Sequence, residues 1–119
     1  MNKYDIPMDE TYGSIPELIM RHINNGSDVL EFGCATGRMT KYMSETKGCN
    51  VSIIEIDNEA YNVALKYAGN GFCGDADEMT WKDVFKDSRY DVILFADVIE
   101  HLRNPIEVIK NAMPNTIGS

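Results

Sequence analysis

Val29-Leu30-Glu31-Phe32-Gly33-Cys34-Ala35-Thr36-Gly37 decides the fold of this 119-residue chain. Its first four residues form a short apolar run carrying one acid, the signature of a buried strand. Gly33 then opens a turn, and Thr36-Gly37-Arg38-Met39-Thr40 enters a helix. Glycine lacks the side chain that holds a ligand off, so such a turn brings bare backbone N–H groups and a helix start against whatever fills the crevice. The stretch predicts a cofactor-binding turn at the carboxyl end of a sheet strand.

Spacing narrows the cofactor. A dinucleotide site wants Gly-x-Gly-x-x-Gly beneath the pyrophosphate, whereas here Ala35 stands where the second glycine belongs. The pattern Glu-x-Gly-x-x-x-Gly instead resembles the first motif of the Rossmann-like (class I) S-adenosylmethionine-dependent methyltransferases, usually Asp/Glu-x-Gly-x-Gly-x-Gly. The resemblance implies that Gly33, Cys34, Ala35 and Gly37 lie under the methionine and ribose portions of S-adenosyl-L-methionine, or of its product S-adenosyl-L-homocysteine. It also implies that Glu31 steers the turn and the amino-acid end. Ala35 departs from the pattern, and on these residues alone a strand-to-helix turn without a ligand is the alternative.

A second strand is predicted at Cys49-Asn50-Val51-Ser52-Ile53-Ile54-Glu55-Ile56-Asp57, bounded by Gly48 and a helix start. An acid about 20 residues past the glycine turn can receive the ribose hydroxyls, and Glu55 and Asp57 both qualify. The family pattern, an acid followed by an apolar residue and a helix cap, assigns Glu55 to the ribose, Ile56 to the cofactor wall and Asp57 to the cap. At Phe72-Cys73-Gly74-Asp75-Ala76-Asp77-Glu78-Met79 the resemblance makes Asp75 the acceptor for the adenine amine and the Ala76 N–H the donor to a ring nitrogen. An acidic surface loop is the other reading.

Tyr90-Asp91-Val92-Ile93-Leu94-Phe95 opens a strand apolar enough to be buried on both faces. The run Asp97-Val98-Ile99-Glu100-His101-Leu102-Arg103-Asn104-Pro105 then closely resembles the Asp-Val-Leu-Glu-His-Leu-x-Asp-Pro string of one large branch of small-molecule methyltransferases. Methyl transfer is an in-line displacement that depends on positioning. For a hydroxyl acceptor, His101 is the candidate base because histidine titrates near neutral pH. Asp97 is the second catalytic candidate and also falls on the cofactor wall. The alternative for His101 is a helix-start histidine packed on the sheet. Glu100 is expected to pair with Arg103 on one helix face, and Arg38 is either solvated or a partner for the cofactor's carboxylate.

The four stations cover roughly residues 26 to 113 in the family's order, implying an α/β Rossmann-like parallel sheet with flanking helices and strand order 3-2-1-4. Helices are expected at about 37–46, 58–68 and 102–112, with an earlier one starting at Ser14-Ile15-Pro16-Glu17 and ending at Asn24-Asn25-Gly26. The chain is read as one domain, residues 1–119, with 1–13 a lid or a frayed tail. The family's full sheet has seven strands, so the sequence reads as truncated before strand 5. Its apolar fourth strand would then be an exposed edge open to homodimerisation.

Bulk properties exclude several classes. Nineteen acids against eleven bases give a formal charge of -8, a field that repels nucleic-acid phosphates. No apolar run approaches the roughly 20 residues of a membrane span, and the N-terminus lacks a signal-peptide core, so a cytoplasmic location and no membrane partner are expected. Cys34, Cys49 and Cys73 are odd in number and without metal-ligand spacing, so no metal is expected and each cysteine reads as a small buried residue. The function expected is S-adenosylmethionine-dependent methylation of a small-molecule acceptor. A non-catalytic module of the same fold is the alternative, and a dinucleotide dehydrogenase the third.

Overall fold

The structure, a computed structural model, describes residues 19–35, 37–95 and 101–115. Strands β1 (Asp28–Phe32), β2 (Asn50–Glu55), β3 (Asn70–Cys73) and β4 (Val92–Phe95) form one parallel sheet in the order β3-β2-β1-β4. Register is unbroken: Val29 faces Val51 on one side and Val92 on the other, and Phe32 faces Ile54 and Phe95. The order reverses at β1, which creates the crevice at the carboxyl ends of the strands where ligands of open α/β sheets sit.

Strand residues alternate between two apolar layers, as pleating requires. Val29, Val51, Ile53 and Leu94 join Met39, Met43 and Ala64 in one layer. Leu30, Phe32 and Ile54 join Trp81, Phe85, Val108 and Ala112 in the other. A strand apolar on both faces cannot be half solvated, which is why the sheet is parallel and sandwiched between helices. The helices are α1 (Arg38–Lys41), continuing as a wider π turn over Tyr42–Thr46, then α2 (Asn58–Ala64), α3 (Trp81–Phe85) and α4 (Pro105–Ala112). Phe32 anchors the second layer. Its ring stacks on Phe95 at 4.5 Å and meets Trp81 edge-on at 5.0 Å, and the Trp81 indole donates to the Ala76 carbonyl at 2.8 Å.

The observed order is the one read from the sequence, and the helices are shorter. α2 stops at Ala64 and turns through residues 65–67. α4 begins at Pro105 rather than 102, because proline disfavours α conformation in the residue before it and is at home in a helix's first turn. Of the first helix, residues 19–21 are described as helical. The Ser14 start, the 1–13 segment, Thr36, and the Asp97 and Glu100 positions lie outside the described residues.

Candidate functional site

The glycine turn after β1 has the backbone that its sequence demands. Gly33 has φ +76° and Gly37 φ +84°, and Ala35 between them is also left-handed at φ +52°. A side chain in that region costs roughly 1–2 kcal/mol, so Ala35 is held there against its preference. The restraint comes from β2. Glu55 Oε1 accepts the Ala35 N–H at 2.9 Å, and Oε2 accepts the Asp57 N–H, also at 2.9 Å. Replacing Ala35 by glycine should therefore raise stability by about 0.5–1 kcal/mol, the relief of left-handed strain less the extra unfolded-state entropy. Thermal unfolding of Ala35→Gly reads this, and a lower melting temperature would contradict it.

The turn's N–H groups at these positions are not bare. Gly33 donates to the Ile54 carbonyl at 2.8 Å and Gly37 to the Cys34 carbonyl at 2.9 Å. With the Ala35 N–H on Glu55, the turn at these three positions offers close approach rather than donors. Gly37 serves a different end. A Cβ there would stand 2.8 Å from the Ala64 Cα, so this glycine lets α1 pass against α2.

Gly33, Cys34 and Ala35 meet Glu55, Ile56 and Asp57 from the end of β2, and Gly74, Asp75, Ala76 and Asp77 from beyond β3, around a cavity of about 510 Å³. Arg38, His101, Leu102 and Arg103 also line it. The sheet therefore brings together all but three of the sequence-predicted site residues. Glu31 and Gly37 do not line the cavity, and Asp97 is outside the described residues. Asp57 caps α2, accepting the Ala60 N–H, as read from the sequence. Ile56 is 65% exposed, an apolar surface open at the cavity wall.

Asp75 is not a free acceptor. It caps its own turn through the Asp77 N–H at 2.9 Å and holds the Arg103 guanidinium at 3.2 Å. Arg103 thus spends its charge on Asp75 and Asp77. Sequence reasoning missed Asp77, which accepts the Arg103 and Asn104 N–H groups at 2.9 and 3.0 Å. These backbone donors hold its carboxyl below the usual range.

Glu31 lies beneath the turn, 1% exposed, and accepts the Thr40 hydroxyl at 2.5 Å. Burial pushes its carboxyl up to about 7, against the Thr40 bond, with the Glu55 charge adding to the rise. The folded chain then binds this proton more tightly than the unfolded chain, so stability falls as pH rises between the two titrations. We expect wild type to lose about 2 kcal/mol relative to Glu31→Gln between pH 5 and pH 7. Parallel urea curves for the two proteins across that range would show an ionised Glu31 throughout. Burial, followed by the Glu31 and Glu55 charges, also pushes the Cys34 thiol above its usual range, which keeps it from acting as a nucleophile on the cavity wall.

Cys34 and Cys49 are buried, but Cys73 is exposed. It ends β3, an outer strand of the sheet whose terminal residues are open to solvent, so the expectation of three buried cysteines fails there. Among the described residues no cluster of three or more metal-ligating side chains occurs, and no helix is long and apolar enough to cross a membrane.

Known proteins share this fold. The chain is 32% identical over 100 residues to the ubiquinone biosynthesis O-methyltransferase of Rickettsia bellii (strain OSU 85-389), a match covering 82% of this chain and 41% of that protein. It therefore spans about two fifths of the curated relative's length. The fold matches the plantazolicin methyltransferase BpumL in complex with SAH, with TM-score 0.66, 24% identity, and 87% of this chain and 39% of the other covered. Coclaurine N-methyltransferase bound to N-methylheliamine and SAH superposes with TM-score 0.71 and 17% identity over 98% of this chain and 36% of its own. The methyltransferase domain family matches residues 6–114. That match runs from before the first described residue through the sheet, the glycine turn and α4, and the chain belongs to the methyltransferase domain family.

Proposed function

We propose that this chain is the cofactor-binding part of an S-adenosylmethionine-dependent methyltransferase that acts on a small-molecule acceptor. The observation that carries the reading is the convergence of three separated segments, Gly33–Ala35, Glu55–Ile56 and Asp75–Ala76, on one cavity. Its volume is within the roughly 300–1,000 Å³ usual for small-molecule sites. The donor set fits the cofactor. Glu55 is pinned through Oε1 by the Ala35 N–H and the Cys34 thiol, while Oε2, which accepts the Asp57 N–H, keeps a lone pair for a ribose hydroxyl. Ile56 offers an apolar face to a flat ring, and Asp75 and Ala76 line the same cavity, where the Ala76 backbone and the remaining lone pairs of Asp75 would meet the ring's polar edge.

When bound, S-adenosylmethionine supplies a methyl group activated by a positive sulfur. The chain's own work is to hold that ligand and to bring an acceptor into line with it. His101 lies on the cavity wall, where an imidazole can take the proton of a hydroxyl acceptor. Asp97 is proposed to assist. The relatives named above act in ubiquinone biosynthesis, on plantazolicin and on coclaurine, which favours a small-molecule acceptor over a macromolecular one. A non-catalytic binding module of the same fold is the second reading.

Calorimetric titration separates the readings. S-adenosylmethionine and S-adenosylhomocysteine are expected to bind and NAD is not. Preferential NAD binding would reverse the assignment. Cofactor binding without transfer of a labelled methyl to any hydroxyl, amine or carboxyl acceptor would favour the module.

A further inference from the structure

Helix α4 starts without a cap of its own. Asn104 occupies the N-cap and its side chain makes no capping bond. The missing acceptor arrives from a turn 27 residues earlier. Asp77, in the 3-10 turn Ala76–Glu78, takes the Arg103 N–H on one carboxylate oxygen and the Asn104 N–H on the other. Its side chain is 4% exposed, while the Arg103 guanidinium closes over it, with Nε at 3.6 Å. A single exposed ion pair would fix little. A shielded carboxylate accepting two backbone N–H groups fixes both distance and direction.

Both halves of this clasp are cavity wall. Asp75, Ala76 and Asp77 stand on one side, and His101, Leu102 and Arg103 on the other. Asp75 ties into the same network through the Asp77 N–H and the Arg103 guanidinium. We propose that Asp77 is a positioning residue that couples these walls, so that a ligand settling on the Asp75–Ala76 side sets the placement of His101 and the start of α4. The coupling rests on the cofactor-site reading above. Through it, filling the cofactor half of the cavity would prepare the half that faces the acceptor.

The test compares the wild-type chain with Asp77→Ala, by amide hydrogen exchange and by the NMR signals of the His101 ring, with and without S-adenosylhomocysteine. In the free chains, exchange at Arg103 and Asn104 should quicken about tenfold or more in the variant, while Gly33, bonded within the sheet, stays protected. On adding S-adenosylhomocysteine, exchange at Ala35 should slow in both proteins, and the His101 ring signals should shift in wild type only. Asp77→Asn can accept only one of the two N–H groups and should respond partially. It also serves if Asp77→Ala does not fold. Unchanged exchange at Arg103 and Asn104, or an equal His101 response in the variants, overturns the proposal. A ligand response at Ala35 in wild type with none at His101 overturns the coupling alone, whereas no response at either overturns the coupling together with the cofactor assignment.

Discussion

Glu55→Ala is expected to weaken S-adenosylhomocysteine binding by roughly tenfold to a hundredfold, the loss of about 1.5–3 kcal/mol that accompanies removal of a charged hydrogen-bonding partner. The variant should also melt lower. Glu55 is buried and bridges two backbone N–H groups, at Ala35 and Asp57, and leaving such donors without an acceptor costs about 1–3 kcal/mol. Glu55→Gln distinguishes the two losses, because an amide can still accept one N–H but offers a donor where a ribose hydroxyl needs an acceptor. Calorimetry at a temperature where each variant is folded gives the affinities. Unchanged affinity in a folded Glu55→Ala would remove this residue from the cofactor site.

Gly37→Val is expected to destabilise the fold by about 2–5 kcal/mol, the sum of a left-handed backbone carrying a side chain and of overpacking. The backbone leaves little escape. At φ +84°, the new Cβ would press against the Cα, Cβ and backbone N of Ala64, at 2.8, 2.9 and 3.5 Å. Those atoms belong to a helix packed on the sheet, and Ala64 is fully buried, so neither side can yield without opening the first core layer. Urea unfolding should show the loss directly. A midpoint within experimental error of wild type would mean that α1 and α2 can separate here at no cost.

Comparing these two residues shows what the sequence disclosed. Glu55's place on the cavity wall was legible because it is local in type: an acid at the end of a β-branched run, at a fixed distance from a glycine turn. Asp57 was legible for the same reason, as a cap before a helix. The strand order followed from the family resemblance and from alternation of strands with helices. Gly37, read as a cofactor glycine, stands off the cavity and against Ala64, and in sequence a glycine required by the close passage of another helix looks like one required by a ligand. Asp77 was illegible. Its partners are backbone groups 26 and 27 residues away, and only the closing of the sheet brings the two turns together. The pairing of Arg103 with Asp75 and Asp77 has the same origin; Glu100, which helix spacing offered as its partner, lies outside the described residues. Cys73 came out exposed because β3 is the outer strand, a fact that its apolar neighbours in sequence do not carry.

The central place of β1 has a consequence for how the chain is made. Its two sheet partners are encoded far apart, at residues 50–55 and 92–95, on the same side of it in sequence. On a ribosome adding about 5–20 residues per second, β1 emerges and finds β2 early, but its other flank waits for some 60 further residues. That is roughly 3–12 seconds at this pace. During this interval the apolar face that Phe95 later covers on Phe32 has only non-native company. Parallel pairing cannot be closed by a tight hairpin, so no local shortcut protects it. Slow stretches of translation downstream of residue 55 should therefore lower the yield of folded protein, and fast ones should raise it.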